Sequence, residues 1–156
     1  MSESTQPTWK KEISAGGIVF KEQDGRVFIL LIMPKGPNYG PPAGYWTFPK
    51  GLLDHEGEDM KETAVREVKE EGGVNAEVLD ELGYIKYFRG AGSGFPPAIK
   101  FVHYFLMKYL DGDPQNHDEE VAEATFVPVE EVEEKLKFKN DKEIFGRATE
   151  KLNKKN

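Results

Sequence analysis

Apolar residues recur along this chain in distinct rhythms, and each rhythm predicts an element. Val27 to Met33 is an unbroken apolar run of strand length, as expected for a strand covered on both faces. Ile13 to Lys21 begins a strand carrying the turn-like pair Gly16-Gly17, and Trp46 to Phe48 is a short strand leading into Pro49-Lys50-Gly51. Two longer strand regions, Ala76 to Arg89 and Ile99 to Leu110, flank a Gly- and Pro-rich loop and read as a hairpin. Ala124 to Val127 adds a further short strand.

A helical rhythm takes over from about Glu58 to Gly72. At about 100° per residue, Ala64, Val65, Val68 and Gly72 share one arc, with Lys61 joining it at the first turn. Two more helices are expected, Val129 to Leu136, opened by Pro128 at a first turn that suits proline, and Asp141 to about Leu152. Between these elements lie the aromatic loop Pro34 to Tyr45 and the polar connection Asp111 to Glu119. Helices at the middle and end, with mostly doubly covered strands between them, imply an α/β (α+β) fold in which a mixed β-sheet is sandwiched between helices, an α/β/α sandwich.

At 156 residues the chain is long enough for one domain with a substantial core. Residues 1–11 are expected as a flexible N-terminal tail and 12–156 as the single domain. With 21 basic against 28 acidic side chains the formal charge is -7, which argues against nonspecific binding to nucleic acid or anionic membranes. Neither a stable nucleic-acid complex nor a membrane partner is expected, and an anionic substrate would need metals and local cations. The absence of cysteine excludes disulfides and thiolate metal sites. No segment has a signal-peptide core or a membrane-spanning apolar length, so a cytoplasmic location is expected. Oligomeric state is not legible.

The candidate chemistry lies behind Gly51. On the helical projection Glu67, Glu70 and Glu71 form one carboxylate patch beside the apolar stripe. Like charges three and four residues apart repel, and the one cation within the run, Lys69, points away. The patch reads either as a solvated acidic face or as a site for Mg²⁺ or Mn²⁺, hard cations that prefer carboxylate oxygens.

Context decides between them. Glu58, Arg66, Glu67, Val68, Glu70, Glu71, Gly73 and Val74 occur in the register of the Nudix box, G-x5-E-x7-R-E-U-x-E-E-x-G-U with U aliphatic, and the chain resembles that hydrolase family. The opening glycine departs from the pattern: it is Gly51 rather than position 52, which implies one inserted residue in the loop from Leu52 to Gly57. Roles for Asp54, His55 or Glu56 are therefore not carried over. S-A-G-G-I-V-F from Ser14, W-T-F-P-K-G from Trp46, K-F-V-H-Y-F-L-M-K-Y from Lys100 and D-K-E-I-F from Asp141 are similar to the bacterial diadenosine polyphosphate hydrolase branch, over roughly residues 12–150.

The resemblance implies the Nudix fold, a Mg²⁺ or Mn²⁺ cofactor and a nucleotide substrate carrying adenine and polyphosphate. It implies that Glu67, Glu70 and Glu71 ligate metal, with Glu67 the usual candidate for activating water. A further acidic ligand matches Glu120 best, with Glu119 and Glu123 as rivals. Arg66 is expected to pair with Glu58 as a catalytic-site scaffold. Lys50, Gly51 and Lys100 are expected beside the polyphosphate, and Tyr87 on adenine, with Phe88 and Tyr84 competing. His103 is expected in the core, and His117 in a polar loop. Hydrolysis of diadenosine tetraphosphate to ATP and AMP is the expected reaction. Nucleoside triphosphate hydrolysis, RNA 5′-polyphosphate hydrolysis and a noncatalytic nucleotide sensor are the alternatives.

Overall fold

The computed structural model describes residues 9–36, 39–53, 58–90 and 96–155. Its sheet begins with β1 (Lys10–Gln23) and β2 (Arg26–Pro34), an antiparallel pair joined at Asp24-Gly25. Both turn residues have positive φ, 53° and 75°. That is the twist a two-residue hairpin needs, and Asp-Gly adopts it readily. β1 opens at Lys10, inside the expected tail, and residues 1–8 of that tail lie outside the described residues.

β3 (Lys50–Leu52) pairs with the first half of β1, and Gly51 lies opposite Ala15. β4 (Val74–Arg89) and β5 (Ala98–Gly112) form the expected hairpin. β5 then runs parallel to β1 from Lys10 opposite Ala98 to Phe20 opposite Lys108, which makes the sheet mixed. β6 (Val121–Pro128) closes the other edge against β2, giving the order β4-β5-β1-β2-β6. Trp46 to Phe48, expected as a short strand, contributes only isolated bridges, Thr47 to Ile32 and Trp46 to Leu136.

α1 (Met60–Gly72) covers one face of the sheet, packing Ala64 and Val68 on Ala15, Val19, Leu30, Phe105 and Met107. α2 (Val129–Lys135) and α3 (Lys139–Lys155) cover the other, where Val132, Ile144, Phe145 and Ala148 meet Ile18, Leu31 and Tyr104. This is the expected sandwich. Among the described residues no helix is long and apolar enough to cross a membrane.

The ends of α1 explain its placement. Asp59 caps the first turn by accepting from Lys61 N at 3.1 Å, and Gly73, at φ 75°, ends the helix with its N–H on Lys69 O. Glu58 thus stands before the helix and not within it. The buried stripe is also rotated from the expected one: Val65 is 37% exposed, whereas Thr63 and Glu67 are buried. β3 lies beside α1 at this position and covers Glu67, so hydrophobicity alone misplaces the stripe.

Candidate active site

Glu67 is held at the junction of α1 and β3, only 7% exposed. A Cβ on Gly51 would collide with its carboxylate, so any other residue here would push the Glu67 side chain from this position. Gly51 is thus packed against Glu67, and the expected insertion in the loop from Leu52 to Gly57 falls largely on residues 54–57, which lie outside the described residues. The Asp54, His55 and Glu56 positions belong to that segment.

Arg66 ties the site together. Its Nε and Nη2 donate to the two oxygens of Glu58 at 3.3 and 3.2 Å, and Nη2 also donates to Leu52 O at 3.3 Å. Nη1 reaches Glu70 at 3.3 Å and Glu67 at 3.6 Å. Thr63 adds a hydroxyl hydrogen bond to Glu58 at 2.7 Å. The expected pairing of Arg66 with Glu58 is present, and it locks the loop before α1 to β3.

Burial, with crowding behind it, raises the proton affinity of this edge. Burial, then the neighbouring Glu71 and Glu70, push the Glu67 carboxyl up to about 8, against the pull of Arg66. Burial pushes Glu71 up to about 7, opposed by the Lys50 amide that donates to it at 2.9 Å and by the Lys50 ammonium. Asp118 and Glu120 stand close enough to raise it further. Glu119, Glu120 and Glu123 are all exposed, and Glu120 is the one whose charge bears on the Glu71 carboxyl, which keeps it as the candidate fourth ligand. The Tyr39 hydroxyl donates to Glu120 at 3.4 Å.

Among the described residues, no three acidic or histidine side chains converge as a preformed metal cage. Glu67 and Glu70 turn to Arg66, and Glu71 to the Lys50 amide. The donor set nevertheless fits a hard divalent cation: it is all oxygen, and burial together with neighbouring acids pushes the Glu67 and Glu71 carboxyls up to about 8 and about 7. A cation would relieve that repulsion.

A cleft of about 320 Å³ opens on the α3 face, with Tyr45, Thr47, Lys50, Tyr87, Phe138 and Asp141 on its walls. Lys50 belongs to both places: its amide holds Glu71 while its side chain lines the cleft. Tyr45 and Phe138 meet edge to face with centroids 4.9 Å apart. Asp141 is buried, accepts from Thr47 Oγ1 at 2.7 Å, and is pushed up by burial against the opposing charge of Lys50. The Tyr104 hydroxyl, buried nearby, has no hydrogen-bond partner among the described residues.

Strand alternation decides among the candidate aromatics. Tyr87 lies on the cleft face, whereas Tyr84 and Phe88 are exposed on the opposite one. Lys100 sits beside Tyr87, 5.7 Å from its ring, but its ammonium is engaged by Glu12 at 3.5 Å. Arg89 grips the same carboxylate at 3.0 and 3.2 Å. Burial works against the Glu12 charge, yet Arg89 and Lys100 hold its carboxyl below the usual range. His103 is not a core residue: it is half-buried beside Tyr84, and burial pushes its imidazole down. His117 Nδ1 stands 2.8 Å from Asp118 O.

Asp118, Asp141, Thr47 and Glu12 are site residues that sequence reasoning did not single out. Asp118 N donates to Glu70 O at 2.8 Å and thereby brings the β6 approach to the acidic end of α1. Thr47 and Asp141 lay within motifs already noted, W-T-F-P-K-G and D-K-E-I-F, which were signals for the branch and not for the cleft.

A helix-sandwiched mixed sheet with a glycine-packed acidic helix beside a cleft of about 320 Å³ defines the class. The chain belongs to the Nudix family: residues 10–148 match the NUDIX domain, and members of that family act on pyrophosphate bonds. It is 33% identical over 151 residues to the protein named MutT4 of Mycobacterium tuberculosis (strain CDC 1551 / Oshkosh), covering 97% of this chain and 60% of that one. It is 31% identical over 151 residues to an 8-oxo-(d)GTP phosphatase of Mycolicibacterium smegmatis, covering 94% of this chain and 44% of that one. The chain thus spans about half the length of these relatives. Its fold is similar to an Ap4A hydrolase of C. elegans, solved as a binary complex, with TM-score 0.70, 23% identity, and 92% and 98% of the two chains covered.

Proposed function

We propose that this chain is a Mg²⁺- or Mn²⁺-dependent pyrophosphohydrolase that cleaves a nucleoside polyphosphate, with diadenosine tetraphosphate to ATP and AMP as its preferred reaction. The observation that carries this reading is the position of Lys50, which joins the cleft wall to the carboxylate edge within one residue. A nucleoside seated in the cleft would send its phosphates past Lys50 toward Glu67, Glu70 and Glu71.

Glu67, Glu70, Glu71 and Glu120 would hold the divalent ion, whose chemistry is charge neutralisation and polarisation of phosphate oxygens. The chain supplies the rest. Glu67 accepts the proton of the attacking water, Arg66 fixes Glu67 relative to Glu58 and β3, and Gly51 leaves room for the carboxylate. Lys50 meets phosphate oxygens, and Tyr87 offers its ring to adenine. Lys100 orients the wall beside Tyr87 through Glu12 and reaches the polyphosphate when that pair opens.

The second reading is a nucleoside triphosphate hydrolase of the 8-oxo-dGTP type, which the M. smegmatis relative's name favours. A noncatalytic nucleotide sensor is disfavoured because a binder needs no complete set of Glu67, Glu70 and Glu71. A panel of diadenosine polyphosphates, nucleoside triphosphates, ADP-ribose and triphosphorylated RNA, assayed with Mg²⁺ at one concentration, tests the assignment. The highest kcat/KM is expected for diadenosine tetraphosphate. A higher value for 8-oxo-dGTP would transfer the assignment to the second reading, and no hydrolysis of any member would remove the enzymatic one.

A further inference from the structure

The strands that build the cleft present a second surface on their other side. Because side chains alternate, Tyr87 and Lys100 face the cleft while Lys86, Phe88, Ile99 and Phe101 face away from it. The register sets Lys86 opposite Phe101 and Phe88 opposite Ile99, and brings Lys11 of β1 alongside Ile99. Trp9 closes the edge, its ring 5.9 Å from Phe88, and Tyr84 lies 5.7 Å from Phe101. α1 covers this face only further along, over Phe105 and Met107.

Phe88 is 62% exposed, Tyr84 50% and Trp9 41%. Scattered apolar side chains on a surface need no explanation, but adjoining exposed rings on a sheet face that no described helix covers mark a binding surface. Two cations stand among them: Lys11 Nζ is 5.1 Å from the Phe101 centroid, and Lys86 Nζ is 5.5 Å from that of Phe88 and 5.8 Å from that of Phe101. Among the described residues, Glu81, near His103, is an acidic neighbour at the margin. In a chain of net charge -7, this is a local concentration of positive charge on flat rings.

That combination selects an occupant. Aromatic rings accept stacked bases of any sequence, and lysines beside them meet phosphates at the spacing of a strand. A second copy of the chain docked by the same face would set Lys11 and Lys86 against their own equivalents, which is unfavourable. We propose that the Trp9, Tyr84, Phe88 and Phe101 face binds single-stranded nucleic acid, stacking bases on the rings while Lys11 and Lys86 engage the backbone. The surface shares no residue with the cleft or the carboxylate edge, so the proposal does not depend on the hydrolytic reading.

Fluorescence anisotropy of end-labelled oligo(rA) and oligo(dA), at low salt with EDTA to prevent cleavage, tests it on the full chain. Binding is expected, weakening with salt by a log-log slope of about -0.7 for each phosphate contact. Lys11→Glu with Lys86→Glu should flatten that slope, and Phe88→Ala should weaken binding about fivefold to hundredfold. Each variant should hydrolyse a small nucleotide substrate like wild type, which verifies the fold without touching the surface. Preference for one oligonucleotide identifies RNA or DNA as the partner. Absence of binding at low salt, or binding unchanged in the folded variants, overturns the proposal. So does a wild-type dimer, seen by light scattering, that the same variants dissociate, because the face then belongs to a second copy.

Discussion

Replacing Glu67 by glutamine should stabilise the metal-free protein at alkaline pH while destroying its activity. The Glu67 carboxyl rises from the ordinary 4.5 to about 8 because it is buried beside Glu71 and Glu70. The folded state therefore binds more protons than the unfolded chain between those two values, so stability is fully present below 4.5 and declines until pH passes about 8. At about 1.4 kcal/mol per pH unit, the ceiling on this destabilisation is about 5 kcal/mol. Part of this is offset, because Glu67→Gln forfeits the charge of the Arg66 contact at 3.6 Å. A net gain of about 2 kcal/mol is the reasonable expectation, or about 4 to 8 °C in Tm for a chain of this size. Thermal unfolding in EDTA should show the variant melting above wild type at alkaline pH, with the gap closing toward pH 4.5. Saturating Mg²⁺ should reverse the order, because only wild type keeps the full ligand set and gains binding free energy. A variant that melts below wild type in EDTA at alkaline pH, or a gap that does not change with pH, would refute the crowding argument.

Glu70→Gln and Glu71→Gln should each lower turnover at limiting Mg²⁺ by about 10² or more while circular dichroism stays unchanged; wild-type turnover in either would take the patch out of the mechanism. Gly51→Ala places a methyl group where the Glu67 carboxylate sits, so kcat and the Mg²⁺ activation curve should both deteriorate, and an unaffected enzyme would mean that Glu67 works from another position. Tyr87→Ala should weaken a nonhydrolysable adenine nucleotide by about 1 to 3 kcal/mol, roughly fivefold to hundredfold in Kd by calorimetry. An unchanged Kd would pass the stacking role to Tyr45 or Phe138 across the cleft.

Local rules carried the elements and the box. Periodicity located α1, which depends on residues a few positions apart, and the resemblance to the family supplied the pairing of Glu58 with Arg66. Val65 was misjudged because the buried side of α1 is set by β3, a partner distant in sequence, so a glutamate is covered and a valine is not. The Glu12 partner of Lys100 is not legible in the sequence, because only the parallel pairing of β1 with β5 brings the two together. The same long-range pairing hides Lys11 and Phe101 from a reading of either segment alone. Thr47 and Asp141 lie far apart along the chain, and only the packing of α3 reveals their hydrogen bond. Alternation puts Tyr84 and Phe88 on one face of β4 and Tyr87 on the other, but which face borders the cleft is set by the packing of α3, distant in sequence.

The most direct test of the proposed activity is hydrolysis of diadenosine tetraphosphate by the full chain with Mg²⁺ in ¹⁸O-labelled water, with products resolved by mass spectrometry. Attack at one end of the tetraphosphate should release ATP and AMP in equal amounts, with the label in only one of them. Symmetrical release of two ADP would contradict the proposed cleavage, and complete resistance under conditions where 8-oxo-dGTP is hydrolysed would contradict the substrate.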